Sequence, residues 1–299
     1  MKTEKLILKK WFARNGLSEG TRKLYENHMD IYKNFVEKSL EELIDEAEKE
    51  QDKGIKPMKR LVNDQIMLFK DHLDKEGYAP GTVNNIIAAV KSFYRAFDIE
   101  TINIRLHAGD TSLDKNQGKL LTKEEIMKML NVSNARDRAI IYLMALTGMA
   151  SNEVRNLSIH KFLEAAGNSI NKDIETLEDL FENEDELIKD LIIFEIVRKK
   201  VNYRHHVLMP PEVTRSIIAY LKERHFNRND KRHIQDLNGP IFVTNQGTPM
   251  SKTGVGSEIK RIGFLAGFKK EKGAYCYWRP HSFRKYFIIT IIKETRIMF

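Results

Sequence analysis

The sequence predicts a mostly α-helical protein with a small β-sheet, built as a helical N-terminal domain followed by an α+β domain. Three observations predict it. Apolar residues recur at helical spacing through much of the first hundred residues. The stretch NIRLHAGDTSLDKNQGK then loses periodicity and gathers Gly, Asp, Ser and Asn, the composition of a linker. Finally, Ile, Val and Phe cluster on either side of RKKVNYRH, the pattern of two short strands joined by a basic turn. The boundary is placed near residue 112, giving domains 1–112 and 113–299.

In chain order, SEGTRKLYENHMDIYKNFVEK opens on a cap-like Ser18 and carries Leu24, Met29, Ile31, Tyr32 and Phe35 at roughly helical spacing. A helix follows at about 59–76, then a Gly-Pro turn, GYAPGT. Beyond the turn, Ile86, Ile87, Val90, Phe93, Tyr94 and Phe97 fall on one side of an amphipathic helix. Thr122 and Glu125 form a capping box ahead of the next helix, and ARDRAIIYLMALTGMASNEVRNLS reads as two helices broken at Gly148. The two strands of LIIFEIVRKKVNYRHHVLMPP come next, then a helix in EVTRSIIAYLKERHF. GPIFVTNQGTPMSKTGVGSEIKRIGFLAG reads as a short strand, a turn and a capped helix. Residues 172–190, with nine acids against two lysines, read as a variable connection without chemistry.

With 299 residues and 41% hydrophobic content, the chain can bury one or two ordinary cores. Lysines interrupt the apolar residues of MKTEKLILKKWFARNG, so no signal peptide is expected, and no window carries a membrane-length uncharged run. A cytoplasmic, nucleoid-associated protein is the expectation. The single Cys276 excludes an internal disulfide and a thiolate zinc cluster, and neither metal nor cofactor is expected.

The net charge of +8 is unevenly spread: residues 1–110 hold 19 basic and 19 acidic residues, whereas residues 191–299 hold 21 and 8. So long a basic stretch, scattered among strands and turns, points to a polyanion such as nucleic acid.

Near the end lies RPHSFRKYF, in which His281 and Arg284 are three residues apart on one side of a helical turn. Taken with GYAPGTVNNIIAAVKSFYRAF, ALTGMASNEVRNL and VRKKVNYRHHVLMP, in that order, it makes the chain resemble a tyrosine recombinase, or phage-type integrase, over nearly its whole length. The resemblance implies a helical SAM-like core-binding domain and an α+β catalytic domain that clamp double-stranded DNA, with a homo-tetramer on synapsed sites as the family's assembly. It implies strand cleavage through a 3′-phosphotyrosyl bond, without a metal, to integrate or excise an element. Arginines would hold the non-bridging oxygens as charge builds on them, because a guanidinium offers paired donors in a fixed fork. Arg284 fits that role. His281 could donate to the same phosphate or move a proton. Lys200, or else Lys199, would be the general acid for the leaving 5′ oxygen.

Other polar residues carry less. Glu153 is expected to hold a nearby basic group or amide rather than act as a base. His205 and His206 either flank the DNA backbone or decorate an exposed strand, and Tyr275, Tyr277 and Trp278 are expected to pack.

The chain departs from the family pattern twice. The arginine expected after the Thr-Gly-Met triplet is Ala150, which cannot bind a phosphate. Arg155 is the nearest candidate to replace it, although at about 500° further around a helix it points about 140° away from Ala150's direction. After Arg284, the tyrosine present is Tyr286, too early to match the family's nucleophile, and Ile288, Ile289, Ile291, Ile292 and Met298 need something to pack against. The expectation is a recombinase cut short, monomeric in solution, that lacks the nucleophile segment. The alternative is an inactive remnant or regulator that clamps a duplex site without cleaving it.

Overall fold

A computed structural model describes residues 2–107, 119–198, 203–270 and 276–295. The chain divides into two compact units, Met1–Leu113 and Asp114–Phe299, each with its own core. Among the described residues no helix is long and apolar enough to cross a membrane.

The first unit contains α1 (Lys2–Arg14), α2 (Glu19–Val36), α3 (Leu40–Asp52), α4 (Leu61–Lys75) and α5 (Pro80–Ala96). Ser18 caps α2, and a Ser39–Glu42 capping box starts α3. The centre is α5, whose Val83, Ile86, Ile87, Val90 and Phe93 are fully buried, as the apolar stripe requires. Two polar contacts fix the packing inside this apolar core: Trp11 Nε1 donates to Ser92 Oγ at 3.2 Å, and the Tyr32 and Tyr94 hydroxyls meet at 3.4 Å. Burial pushes the Tyr94 hydroxyl well above its usual pKa.

The second unit runs α6 (Lys123–Asn131), α7 (Ala135–Thr147), α8 (Ser151–Arg155), α9 (Ile159–Ile170), α10 (Leu177–Glu182) and α11 (Glu184–Leu187). Next come β1 (Ile192–Arg198), β2 (Tyr203–Met209), α12 (Pro211–Phe226), α13 (Gly254–Leu265) and α14 (Pro280–Thr295). The strands pair antiparallel, from Ile192 opposite Met209 to Arg198 opposite Tyr203.

After a charged first turn, helix α7 is apolar on nearly every side and so belongs in the middle, where α6, α12, α13, α14 and β2 pack on it. Its first turn is tied down by charge. Arg136 donates through Nε to Asp137 at 3.0 Å and through Nη1 to the Val243 carbonyl at 3.1 Å, and Arg261 of α13 also pairs with Asp137.

Two sequence expectations change. GPIFV forms no strand; it contributes isolated bridges, Ser158 with Pro240 and Val243 with Pro249, because no neighbouring chain continues either ladder. The acidic stretch is ordered by α10 and α11, which bury Leu177, Leu180 and Leu187 while their carboxylates face outward. Tyr277 and Trp278 do pack into the core, and Tyr275 lies outside the described residues.

Gly263 lets α13 and the segment before α14 approach closely: a Cβ there would sit 2.0 Å from Trp278 Nε1. Gly263→Ala should therefore cost about 1–3 kcal/mol through overpacking, measured as a lower urea midpoint with an unchanged slope.

Candidate active-site cleft

The site begins at the C-terminus of α7. Gly148 ends that helix in the left-handed conformation, with φ of 66°, and its N–H donates to the Met144 carbonyl at 3.2 Å. Glycine is needed twice over, because a Cβ at this position would also lie 2.4 Å from Cδ1 of Phe287. The ring of Phe287, on α14, thus rests on bare backbone. One turn earlier, Phe283 is fully buried in the core and anchors α14. With the helix seated by these two rings, Arg284 reaches back so that its Nη1 donates to the Gly148 carbonyl at 3.2 Å. One of five guanidinium donors is used, and the arginine is held in place while half-exposed.

The turn after Gly148 is also fixed. The Thr147 hydroxyl donates to the Leu143 carbonyl at 2.5 Å and accepts from the Met149 N–H at 3.3 Å. Glu153 accepts from the Ala150 N–H at 2.8 Å, so its carboxylate satisfies an amide at the start of α8, as expected. Ala150 itself offers no donor side chain. Arg155 sits at the far end of α8, where Nε donates to Asn152 at 2.9 Å and Nη1 to the Met250 carbonyl at 3.3 Å.

Between this turn, β2 and α14 opens a cleft of about 570 Å³. Its polar wall includes Glu153, Tyr203, His205, His206 and Arg284, and its apolar wall includes Met149, Leu191, Val207, Leu208, Phe287 and Ile288. The cleft therefore joins Arg284 to the β2 histidines and leaves Arg155 outside its lining. His281 is exposed in the first turn of α14, outside the lining but close enough to feel Arg284 electrostatically. Partial burial, and then the positive charges of Lys285, Arg279 and Arg284, hold its imidazole below the usual histidine pKa. It is mainly neutral at pH 7, able both to donate and to accept a proton. Lys200 and Lys199 lie outside the described residues. Tyr286 is half-buried and packs against the core of the second unit.

Sequence reasoning missed two parts of this site. The sequence pattern singles out neither Phe287 nor Tyr203. The available signal was Gly148 itself: a glycine just past an apolar helix marks a left-handed cap where another side chain can approach closely.

The phage integrase family matches residues 119–295, a span that contains the whole cleft. The tyrosine recombinase XerA of Pyrococcus furiosus is 28% identical over 137 residues, 45% of this chain and 42% of its own length. XerA of Pyrococcus horikoshii is 28% identical over 135 residues, 45% of this chain and 41% of its own. The chain thus spans about two-fifths of the length of the curated relatives it matches. Among solved structures, a lambda integrase dimer bound to a COC′ core site is similar with a TM-score of 0.62 at 13% identity, covering 98% of this chain and 85% of that one. The Tn1549 transposon integrase in complex with a circular intermediate DNA gives 0.60 at 16% identity, covering 98% and 88%. At such identities these two structures share the fold.

Two outcomes are expected. Gly148→Ala should lower stability by several kcal/mol, since it combines a disfavoured φ with a clash, read as a fall in thermal midpoint. In a proton NMR titration His281 should titrate below about 6.5, and Lys285→Gln should move its midpoint upward by removing a positive neighbour.

Proposed function

The chain belongs to the phage integrase family, and on that footing we propose that its second unit binds a DNA phosphodiester in the cleft beneath α14, the first requirement of site-specific strand cleavage and rejoining. The observation that carries this reading is Arg284 anchored on the Gly148 carbonyl in a cleft shared with two histidines. A guanidinium held by one donor can present the others to the non-bridging oxygens, where charge builds as the phosphorus becomes pentavalent. No reorganisation is then needed at the moment of reaction. His281, kept mainly neutral, supplies a nearby proton donor and acceptor. Lys200 is proposed as the general acid for the leaving 5′ oxygen, and the excess of basic residues over 191–299 supports salt-dependent contact with duplex DNA. Arg155 enters this reading as a support for the Met250 segment, given the hydrogen bond it donates to the Met250 carbonyl.

The nucleophile is a separate matter. Tyr286 packs against the core, so we propose that the 299-residue chain grips duplex DNA without cutting it. A homo-tetramer on paired sites and integration or excision of an element are the corresponding proposals for the whole recombinase.

The test has two arms. Arg284→Gln should weaken binding to a short duplex about tenfold, the size of one charge-assisted hydrogen bond, with the fold unchanged by circular dichroism. Incubated with a nicked duplex and run on a denaturing gel, the 299-residue chain should give no covalent adduct. An adduct lost on Tyr286→Phe would overturn the non-cleaving reading.

A further inference from the structure

The cleft has a second phosphate donor to account for. The family pattern expects an arginine where Ala150 stands, and Arg155 is engaged with Asn152 and the Met250 carbonyl. Among the described cleft residues, the side chains able to donate to an anion besides Arg284 are Thr147, Tyr203, His205 and His206. Thr147 already donates to the Leu143 carbonyl. Tyr203, at the hairpin end of β2, is 60% exposed. His206 points to the outer face of the strand, opposite Glu195 of β1, which Arg204 also approaches at 3.6 Å. His205 differs from all three. It shares a strand face with the buried Val207 and Met209, where the sheet passes from core to cleft. Its ring lies nearly parallel to that of Tyr203, 10° between planes and 6.1 Å between centroids, so its orientation is restrained. Its Nδ1 is buried with no hydrogen-bond partner.

A buried polar atom without a partner calls for an explanation. A neutral imidazole has one donor and one acceptor nitrogen, and an unpaired lone pair is tolerated better than an unpaired N–H. The proton therefore belongs on Nε2, which leaves that nitrogen as the ring's donor into the cleft.

We propose that His205 is the second phosphate-binding residue of this site, donating through Nε2 to the anion held by Arg284 and taking the place left vacant at Ala150. The proposal rests on the reading of the cleft as a phosphodiester site. It differs from that reading in locating the second donor on β2 rather than on α8, and it makes the β-hairpin a direct partner of the phosphate.

The test uses the 299-residue chain and a short random-sequence duplex, with binding followed by fluorescence anisotropy. His205→Phe, which keeps the ring and removes the donor, should bind about tenfold more weakly, while His205→Gln, which retains a donor, should keep most of the affinity. The double variant His205→Phe/Arg284→Gln should lose less than the product of the two single losses, because both residues act on one anion. In the unmodified chain, labelled with ¹⁵N-histidine, the His205 ring resonance should shift on addition of the duplex, a readout that does not depend on any variant folding. Unaltered binding by His205→Phe with weakened binding by Arg284→Gln sinks the assignment of His205 and leaves the cleft reading standing. Unaltered binding by both sinks both, and a His205 resonance that does not move also overturns the proposal.

Discussion

The second unit depends on the contact between the end of α7 and one face of α14. Gly148 supplies three things at once: a left-handed helix stop, an open patch of backbone against which Phe287 lies, and a carbonyl that accepts from Arg284. Each requires the others. Without the bare backbone the Phe287 ring could not approach, α14 would stand further off, and the guanidinium would lose its anchor. Because most of α7 is buried, its end cannot shift independently, and the rigidity of the core reaches the cleft through Gly148.

The same geometry explains how a site missing one family arginine can keep a coherent arrangement. Ala150 begins α8, and its amide is held by Glu153, so the turn keeps its shape without a side chain there. Arg155 stabilises the chain around Met250 instead. The charge balance of the proposed site then favours an anion: Arg284 sits in the cleft, and beside it burial, and then the positive charges of Lys285, Arg279 and Arg284, lower the pKa of His281. A bound phosphate would reduce that mutual repulsion, so anion binding and the proton-handling range of His281 are linked.

Much of the fold was legible because its signals are local. Amphipathic helices such as α5 and α6 announce themselves through Ile86, Val90 and Phe93 or through the Thr122–Glu125 capping box, and β-residues bracketing a basic turn announce the hairpin. The sequence reading passed over α3 and α9. In α3 four apolar residues, Leu40, Leu43, Ile44 and Ala47, must serve an otherwise charged helix, and α9 contains Gly167, tolerated because Lys172's carbonyl would lie 2.5 Å from a Cβ there. Of the candidate site, Arg284 and His281 could be named from their spacing and the surrounding order of motifs. Their different settings, one in the cleft and one outside its lining, depend on tertiary packing that spacing does not encode. The unpartnered nitrogen of His205 is likewise a property of the packed hairpin, invisible in the string HH.

The central claim is that the end of α7 holds Arg284 so that it grips a DNA phosphate. The most direct measurement is the salt dependence of duplex binding by the 299-residue chain and by Arg284→Gln, plotted as log K against log salt. If Arg284 neutralises one phosphate, the variant's slope should be shallower by about 0.9. Parallel lines, with the variant differing only by a constant offset or not at all, would contradict it.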